Sequence, residues 1–541
     1  NARPSDFYVT IADDLALRFR YPAAAVISQK AVDMSPTNPG ALASLGTSLL
    51  RLGRVAEARR YLDRSFERDE YNLFVGNTLT LLDEYEDFRT LESSNFQLLI
   101  HKDESEVLGN EILREAELAF ESMSARYPYR PSNRIFIEAY NDRDDFAVRI
   151  AGVPHLGLLG VSFGDVVAIN TPRAQAGNEY NWARTLWHEI AHTMAIGVSR
   201  NKVPRWFTEG LSVYEERLAH VEWAREMEVE LFTALQQDKL HPLVDIDRGF
   251  TRPEFPGQVL LSYFHASKVI EFIADTYGFE AVVSVLEALS EGQSISSAIQ
   301  AATNGSIETL DRAFLSNLRT EQGAFADLMK DLPDPMAEDA ANKVAESLEG
   351  SGNKFLSTLR DARAALGAGD LERAETLFEE SIELYPTFVR QGNGYDGLAS
   401  IYRQRGDTTS LKSILTRFLS ISEYGAQQSV ELASILKSTG DLEAAASYLN
   451  RSLFTDPYER AVRSELAELY VRLEDYDAVV QQRRAILALD PVDRAEALYN
   501  LADALYDSGE AEQARRSVLQ SLEIAPGYRE AQRLLLKIVD M

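Results

Sequence analysis

Between residues 369 and 526 the sequence repeats itself. Gly369-Asp-Leu-Glu-Arg-Ala374, Gly440-Asp-Leu-Glu-Ala-Ala445 and Gly509-Glu-Ala-Glu-Gln-Ala514 are versions of one turn-plus-helix signature. Gly406-Asp-Thr-Thr-Ser-Leu411 and Glu474-Asp-Tyr-Asp-Ala-Val479 are weaker copies. Successive copies start 37, 34, 34 and 35 residues apart, and Pro386, Pro457, Pro491 and Pro526 close the units. A period of that length holds two amphipathic helices with their turns. Neither helix can bury its apolar stripe alone, so neighbouring pairs have to stack. Ala374, Ala445 and Ala514 are small enough to let paired helices approach closely. Five units from about residue 355, then a last helix from Tyr528 to Met541, predict a superhelix with a concave face. Gly53-Arg-Val-Ala-Glu-Ala58, with Arg20-Tyr-Pro-Ala-Ala-Ala25 lying 33 residues before it, repeats the pattern more faintly. Residues 1 to about 90 therefore read as two units plus a connecting helix.

The C-terminal segment closely resembles tetratricopeptide repeats. That resemblance implies a groove that docks a peptide or protein; a spacer or dimerisation element is the alternative left open. Between the two arrays the hydrophobic period changes from helical to alternating. Asn95-Phe-Gln-Leu-Leu-Ile-His101, Arg134-Ile-Phe-Ile-Glu-Ala-Tyr140 and Asp165-Val-Val-Ala-Ile-Asn170 read as strands, with a helix from about Glu104 to Tyr127. Val166 to Asn170 is the candidate sheet edge, where an extended peptide could pair with free backbone groups, and an ordinary internal strand is the alternative left open. From Glu209 to Lys330 the pattern is helical. The expected order is repeats over 1–92, a central domain over 93–330 (mixed sheet 93–175, helical 176–330), a linker with a short helix over 331–354, and repeats over 355–541.

The chemistry concentrates in His188-Glu189-Ile190-Ala191-His192 and, one short loop later, Trp206-Phe207-Thr208-Glu209-Gly210. Asn178 to Gly197 reads as one helix with Gly197 as its stop. On a helix, residues at i and i+4 share a face, so His188 and His192 can bind one metal ion together. The intervening Glu189 is placed as a general base, and Glu209 can supply a third ligand. Two His and one Glu leave a fourth position for water, the arrangement of a catalytic zinc.

These two segments resemble those of the gluzincin metallopeptidases. The resemblance extends over about residues 93 to 325, with specific motifs only between 188 and 216. It implies an α+β thermolysin-like domain, one Zn2+ per chain, and a peptide or protein substrate. It also implies an oxyanion donor from a later helix, with Tyr263 the first candidate and His265 the second. Glu216 matches an acid that supports the metal site in aminopeptidase-like relatives. Those relatives grip a free amino terminus through a glycine-rich segment with Met-Glu-Asn. Gly157-Leu-Leu-Gly-Val-Ser-Phe-Gly164 lacks that element, so an endopeptidase is expected. An aminopeptidase, or a catalytically silent interaction scaffold, remains open.

The 55 basic residues against 84 acidic ones argue against a nucleic-acid partner, which needs clustered Lys and Arg. No apolar run is long enough to span a membrane. With no cysteine, any metal must use His and carboxylate ligands. The chain starts at Asn1 with neither a methionine nor a leader pattern, as either removal of a signal segment or trimming of the chain would leave it. An extracytoplasmic location, bacterial periplasm or secreted, is the expectation. The fold class expected is mainly α, an α+β gluzincin-like domain between two α-solenoid arrays.

Overall fold

The computed structural model describes residues 4–175, 180–224, 227–329, 332, 334, 336 and 353–540. It is mainly helical, with one five-stranded sheet among the described residues. Contacts divide the chain into two compact units. Unit 1 comprises Asn1–Leu118, Ser132–Leu186 and Tyr424–Met541; unit 2 comprises Ala119–Pro131 and Trp187–Glu423. Most of the expected linker lies outside the described residues.

In unit 1 the N-terminal helices form two pairs, Pro4–Leu17 with Tyr21–Met34 and Pro39–Arg51 with Val55–Phe66. Leu73–Glu84 follows as the fifth helix. Gly46 shows why small residues recur in such pairs. A Cβ there would meet the Leu62 side chain at 2.7 Å.

The sheet in unit 1 has strands β1 (Phe88–Glu92), β2 (Phe96–His101), β3 (Ile135–Tyr140), β4 (Gly160–Ser162) and β5 (Val166–Asn170). Its order is β1-β2-β3-β5-β4. Strands β2, β3 and β5 run parallel, while β1 and β4 lie antiparallel on the two edges. This corrects one expectation. Val166–Asn170 is not an edge, because β3 and β4 pair with it on either side. All five of its residues are buried, as the unbroken apolar run Val166-Val-Ala-Ile169 befits an interior strand. The expected helix after β2 opens with a short turn at Lys102–Glu104, passes through a π-turn at Ser105–Gly109 and continues over Asn110–Ser124.

The repeat signature has a simple local cause. Gly369, Gly406, Gly440 and Gly509 take φ values of 79°, 68°, 86° and 85° after the first helix of each pair, a region glycine enters without steric cost. After Gly369, Gly406 and Gly440, and after Glu474 in the degenerate copy, the next residue caps the second helix, whereas Glu510 after Gly509 makes no side-chain cap. Asp370, Asp407, Asp441 and Asp475 each accept the backbone N–H three residues on. In the degenerate copy Glu474 takes the left-handed position at φ 58° without being glycine. The five pairs run from Lys354–Gly367 with Leu371–Leu384 to Arg494–Asp507 with Ala511–Ile524, followed by Arg529–Val539. The first two pairs belong to unit 2 and the later three to unit 1.

Within unit 1 the later repeats are tied to the helix that follows β2. Arg463 is fully buried, and its guanidinium reaches Glu111 Oε1 at 2.8 Å and Oε2 at 3.3 Å. It also donates to Gln482 Oε1 and to the carbonyls of Val107 and Pro457. Every donor of this buried cation is thereby engaged, which is the condition for burying it at tolerable cost.

Candidate metal centre

Three helices of the central region supply the site. The histidine helix runs over Trp182–Ser199 and is capped by Asn181 Oδ1, which accepts the Arg184 N–H at 3.0 Å. It does not stop at Gly197. It ends at Ser199, where Arg200 and Asn201 turn left-handed at φ 52° and 58° and Asn201 N–H bonds back to Ile196 O. Gly197 serves close approach instead, since a Cβ there would strike the Tyr129 ring at 2.5 Å. The glutamate helix spans Arg205–Ala219 behind Pro204, and Asp247 Oδ1 accepts the Trp206 N–H at 2.7 Å in its first turn. The tyrosine helix spans Gln258–Tyr277 and packs on the glutamate helix at Gly210.

His188, His192 and Glu209 are all buried, and one ligand atom from each lies within 4.8 Å of the others. The two Nε2 atoms are 3.1 Å apart. Glu209 Oε2 lies 3.4 Å from His188 Nε2 and 3.2 Å from His192 Nε2. The far side of each ring is also occupied. His188 Nδ1 is 2.5 Å from Glu216 Oε1, and His192 Nδ1 is 2.7 Å from Thr208 Oγ1. An ionised carboxylate only accepts, so the Glu216 contact puts a hydrogen on His188 Nδ1 and turns Nε2 toward the centre. Two imidazole nitrogens and a carboxylate oxygen then face one another, a donor set that suits zinc.

The electrostatics agree. Burial would raise the Glu209 carboxyl, but His192 and His188 hold it well below the usual range. Burial would lower His188, yet its hydrogen bonds to Glu209 and Glu216 push it up to about 9. A metal held by His188 here would require that proton to leave. Burial is also the main cause of the raised Glu189 carboxyl, only partly offset by the two histidines. Glu189 is 5% exposed, and its Oε2 has no hydrogen-bond partner among the described residues. That oxygen belongs to a residue that interacts electrostatically with His192, His188 and Glu209, and a carboxylate in such a place can accept a proton.

Tyr263 reaches the cluster, with its hydroxyl 3.4 Å from Glu209 Oε1 and its ring 6.2 Å from that of His188. His265, two residues on, does not. It is buried and stacked on Phe314 beside a small cavity lined by His241, Gln258 and Ser262. Sequence reasoning missed two neighbours. Thr208 orients His192, and Arg205 Nε sits 3.2 Å from Glu209 Oε1. Arg205 is four residues before Glu209 on one helix, so its spacing was the available signal.

Residues 135–320 match the family described as the Peptidase MA superfamily. The chain carries a Peptidase MA superfamily domain. Residues 464–529 match the tetratricopeptide repeat family. No curated protein matches the chain. Among solved structures, YrrB, described as a tetratricopeptide repeat protein with an unusual peptide-binding site, is 18% identical with a TM-score of 0.27. The match covers 35% of this chain and 96% of that one. Yeast Tom70 is 12% identical with a TM-score of 0.21, covering 99% of this chain and 95% of that one. A thermophilic tetratricopeptide repeat protein of Thermus thermophilus is 18% identical with a TM-score of 0.20, covering 35% of this chain and 100% of that one. The Peptidase MA match includes β3, β4, β5 and every residue of the metal cluster. No helix among the described residues is long and apolar enough to cross a membrane.

Proposed function

We propose that the Peptidase MA domain is a zinc-dependent endopeptidase acting on peptides or loosely folded proteins. The observation that carries this reading is the convergence of His188, His192 and Glu209 beside the open Oε2 of Glu189. Zinc held by those three residues would acidify a water and polarise the scissile carbonyl. Glu189 takes a proton from the attacking water at Oε2 and passes it to the leaving amine. The Tyr263 hydroxyl, at the long limit of a hydrogen bond to Glu209, swings to the developing oxyanion and donates to it. Glu216 and Thr208 hold the two rings in register. The C-terminal repeats dock the substrate or a partner protein, and the whole acts outside the cytoplasm.

The test compares wild type with Glu189→Gln on a mixed peptide library, each loaded with one equivalent of zinc. Glutamine keeps the shape but cannot accept the proton, so cleavage is expected to vanish while zinc content and melting temperature stay. Equal turnover by both proteins refutes the enzyme reading. Matched peptides with free and acetylated amino termini decide the cleavage mode. Similar cleavage of both supports an endopeptidase, and stepwise loss of terminal residues stopped by acetylation points to an aminopeptidase.

A further inference from the structure

Glu209 has two oxygens, and the fold treats them differently. Oε2 faces the two Nε2 atoms at 3.2 and 3.4 Å. Oε1 points away and meets two donors, Arg205 Nε at 3.2 Å and the Tyr263 hydroxyl at 3.4 Å. Arg205 is not a loose surface cation. Its guanidinium lies over the Phe250 ring, 5.3 Å from the centroid, and Phe250 in turn sits edge-on to Tyr263 at 5.1 Å. Phe250 is 6% exposed and belongs to the short helix Arg248–Thr251. The residue before that helix, Asp247, accepts the Trp206 N–H. The platform under Arg205 is thus fastened to the same turn of the glutamate helix that bears Arg205 itself.

Exposed ion pairs four residues apart on a helix contribute little and hold no geometry. This one differs because Glu209 is buried and the arginine plane is clamped on an aromatic face. A carboxylate with both oxygens free can turn both onto one metal ion. With Oε1 engaged by two donors, only Oε2 remains to offer.

We propose that Arg205 is a positioning residue that restricts Glu209 to a single ligating oxygen and so keeps one position of the metal open for water. The inference rests on the metal reading of the site above. Its cause lies in the chain's own side chains, and it assigns Arg205 no contact with substrate.

The experiment uses the full chain loaded with Co2+ in place of zinc, together with zinc affinity measured by competition with a chromophoric chelator. Wild type is expected to take up one cobalt with the intense visible absorption of a four-coordinate site. Arg205→Ala should still bind the metal, with a several-fold weaker band as the second oxygen turns in, and with zinc affinity lowered about 10-fold. Arg205→Lys keeps the charge without the planar fork and should fall between the two. Tyr263→Phe removes the other donor to Oε1 and should move the spectrum the same way, which keeps the test usable if Arg205→Ala does not fold. Arg205 variants that match wild type in both spectrum and affinity overturn the inference and leave the metal reading standing. A wild-type chain that takes up neither zinc nor cobalt removes the metal reading itself.

Discussion

Gly210→Ala should damage the metal centre without touching any ligand. A Cβ at Gly210 would lie 2.6 Å from the backbone carbon and oxygen of Ala266 and 2.9 Å from its Cβ. Ordinary contact starts at 3.4 Å, so the glutamate and tyrosine helices must separate by about 0.8 Å. The obstacle is backbone on a fully buried residue and cannot rotate aside. Overpacking of this kind costs about 1–3 kcal/mol, and the better helix propensity of alanine returns up to about 1 kcal/mol. A net loss of about 1–2 kcal/mol should lower the melting temperature of a unit this size by several degrees. The effect on function should be larger. Glu209 precedes the glycine and Tyr263 rides on the displaced helix, while such sites tolerate misplacement of only about 0.5 Å. Peptide cleavage is expected to fall about 100-fold, as displacements near 1 Å do elsewhere. Gly323→Ala is the control, because nothing lies within 4 Å of its Cβ position, and it should be neutral or slightly stabilising. Thermal unfolding by circular dichroism and a fluorogenic peptide assay read both variants. If Gly210→Ala melts at or above wild type and cleaves normally, the helix contact does not set the site's geometry.

Glu216→Gln removes the charge that holds His188 and should weaken zinc binding about 10- to 100-fold by chelator competition, with the fold intact; unchanged affinity would show that Glu216 does not support the ligand. His265 gives a pH prediction: burial, helped by His241, lowers it to about 4 against about 6.5 unfolded. Only the unfolded chain binds this proton between those values, so stability is full above about pH 6.5 and falls by up to about 3 kcal/mol as pH drops to 4. His265→Leu should flatten that part of the acid limb in urea titrations at pH 7 and 4.5; an unaltered limb would refute the assignment. Arg463→Met leaves Glu111 buried without its counter-ion and should cost unit 1 about 3–5 kcal/mol, visible as early tryptic cutting at Lys and Arg residues of the segment Tyr424–Met541, and wild-type resistance would refute it.

The repeats and the histidine pair of the candidate metal site were legible because their signals are periodic. A 34-residue recurrence and an i, i+4 pair of histidines need no knowledge of distant chain. What failed depended on packing partners elsewhere in the chain or on an element too short to show a pattern. Gly197 looked like a stop, yet its reason is Tyr129, and the true stop is two non-glycine residues in a left-handed turn. β4 has only three residues, too few to show alternation, and without it Val166–Asn170 passed for an edge. Tyr263 and His265 stand in the same apolar stretch of helix. Only the packing around them shows which one faces Glu209.

The Arg463–Glu111 pair spans 352 residues of sequence. Its consequence concerns the order of events on the ribosome. All three metal ligands lie within Trp187–Glu423, a stretch bracketed by unit 1 segments. At roughly 5–20 residues per second, the 40 residues from Tyr424 to Arg463 emerge over roughly 2–8 s. During that interval the histidines and Glu209 are already made, while Glu111 waits for an arginine not yet translated. In a nascent chain the candidate metal site should therefore be able to form before the two outer segments can meet, and slow translation beyond residue 423 should expose the Glu111 helix rather than that site.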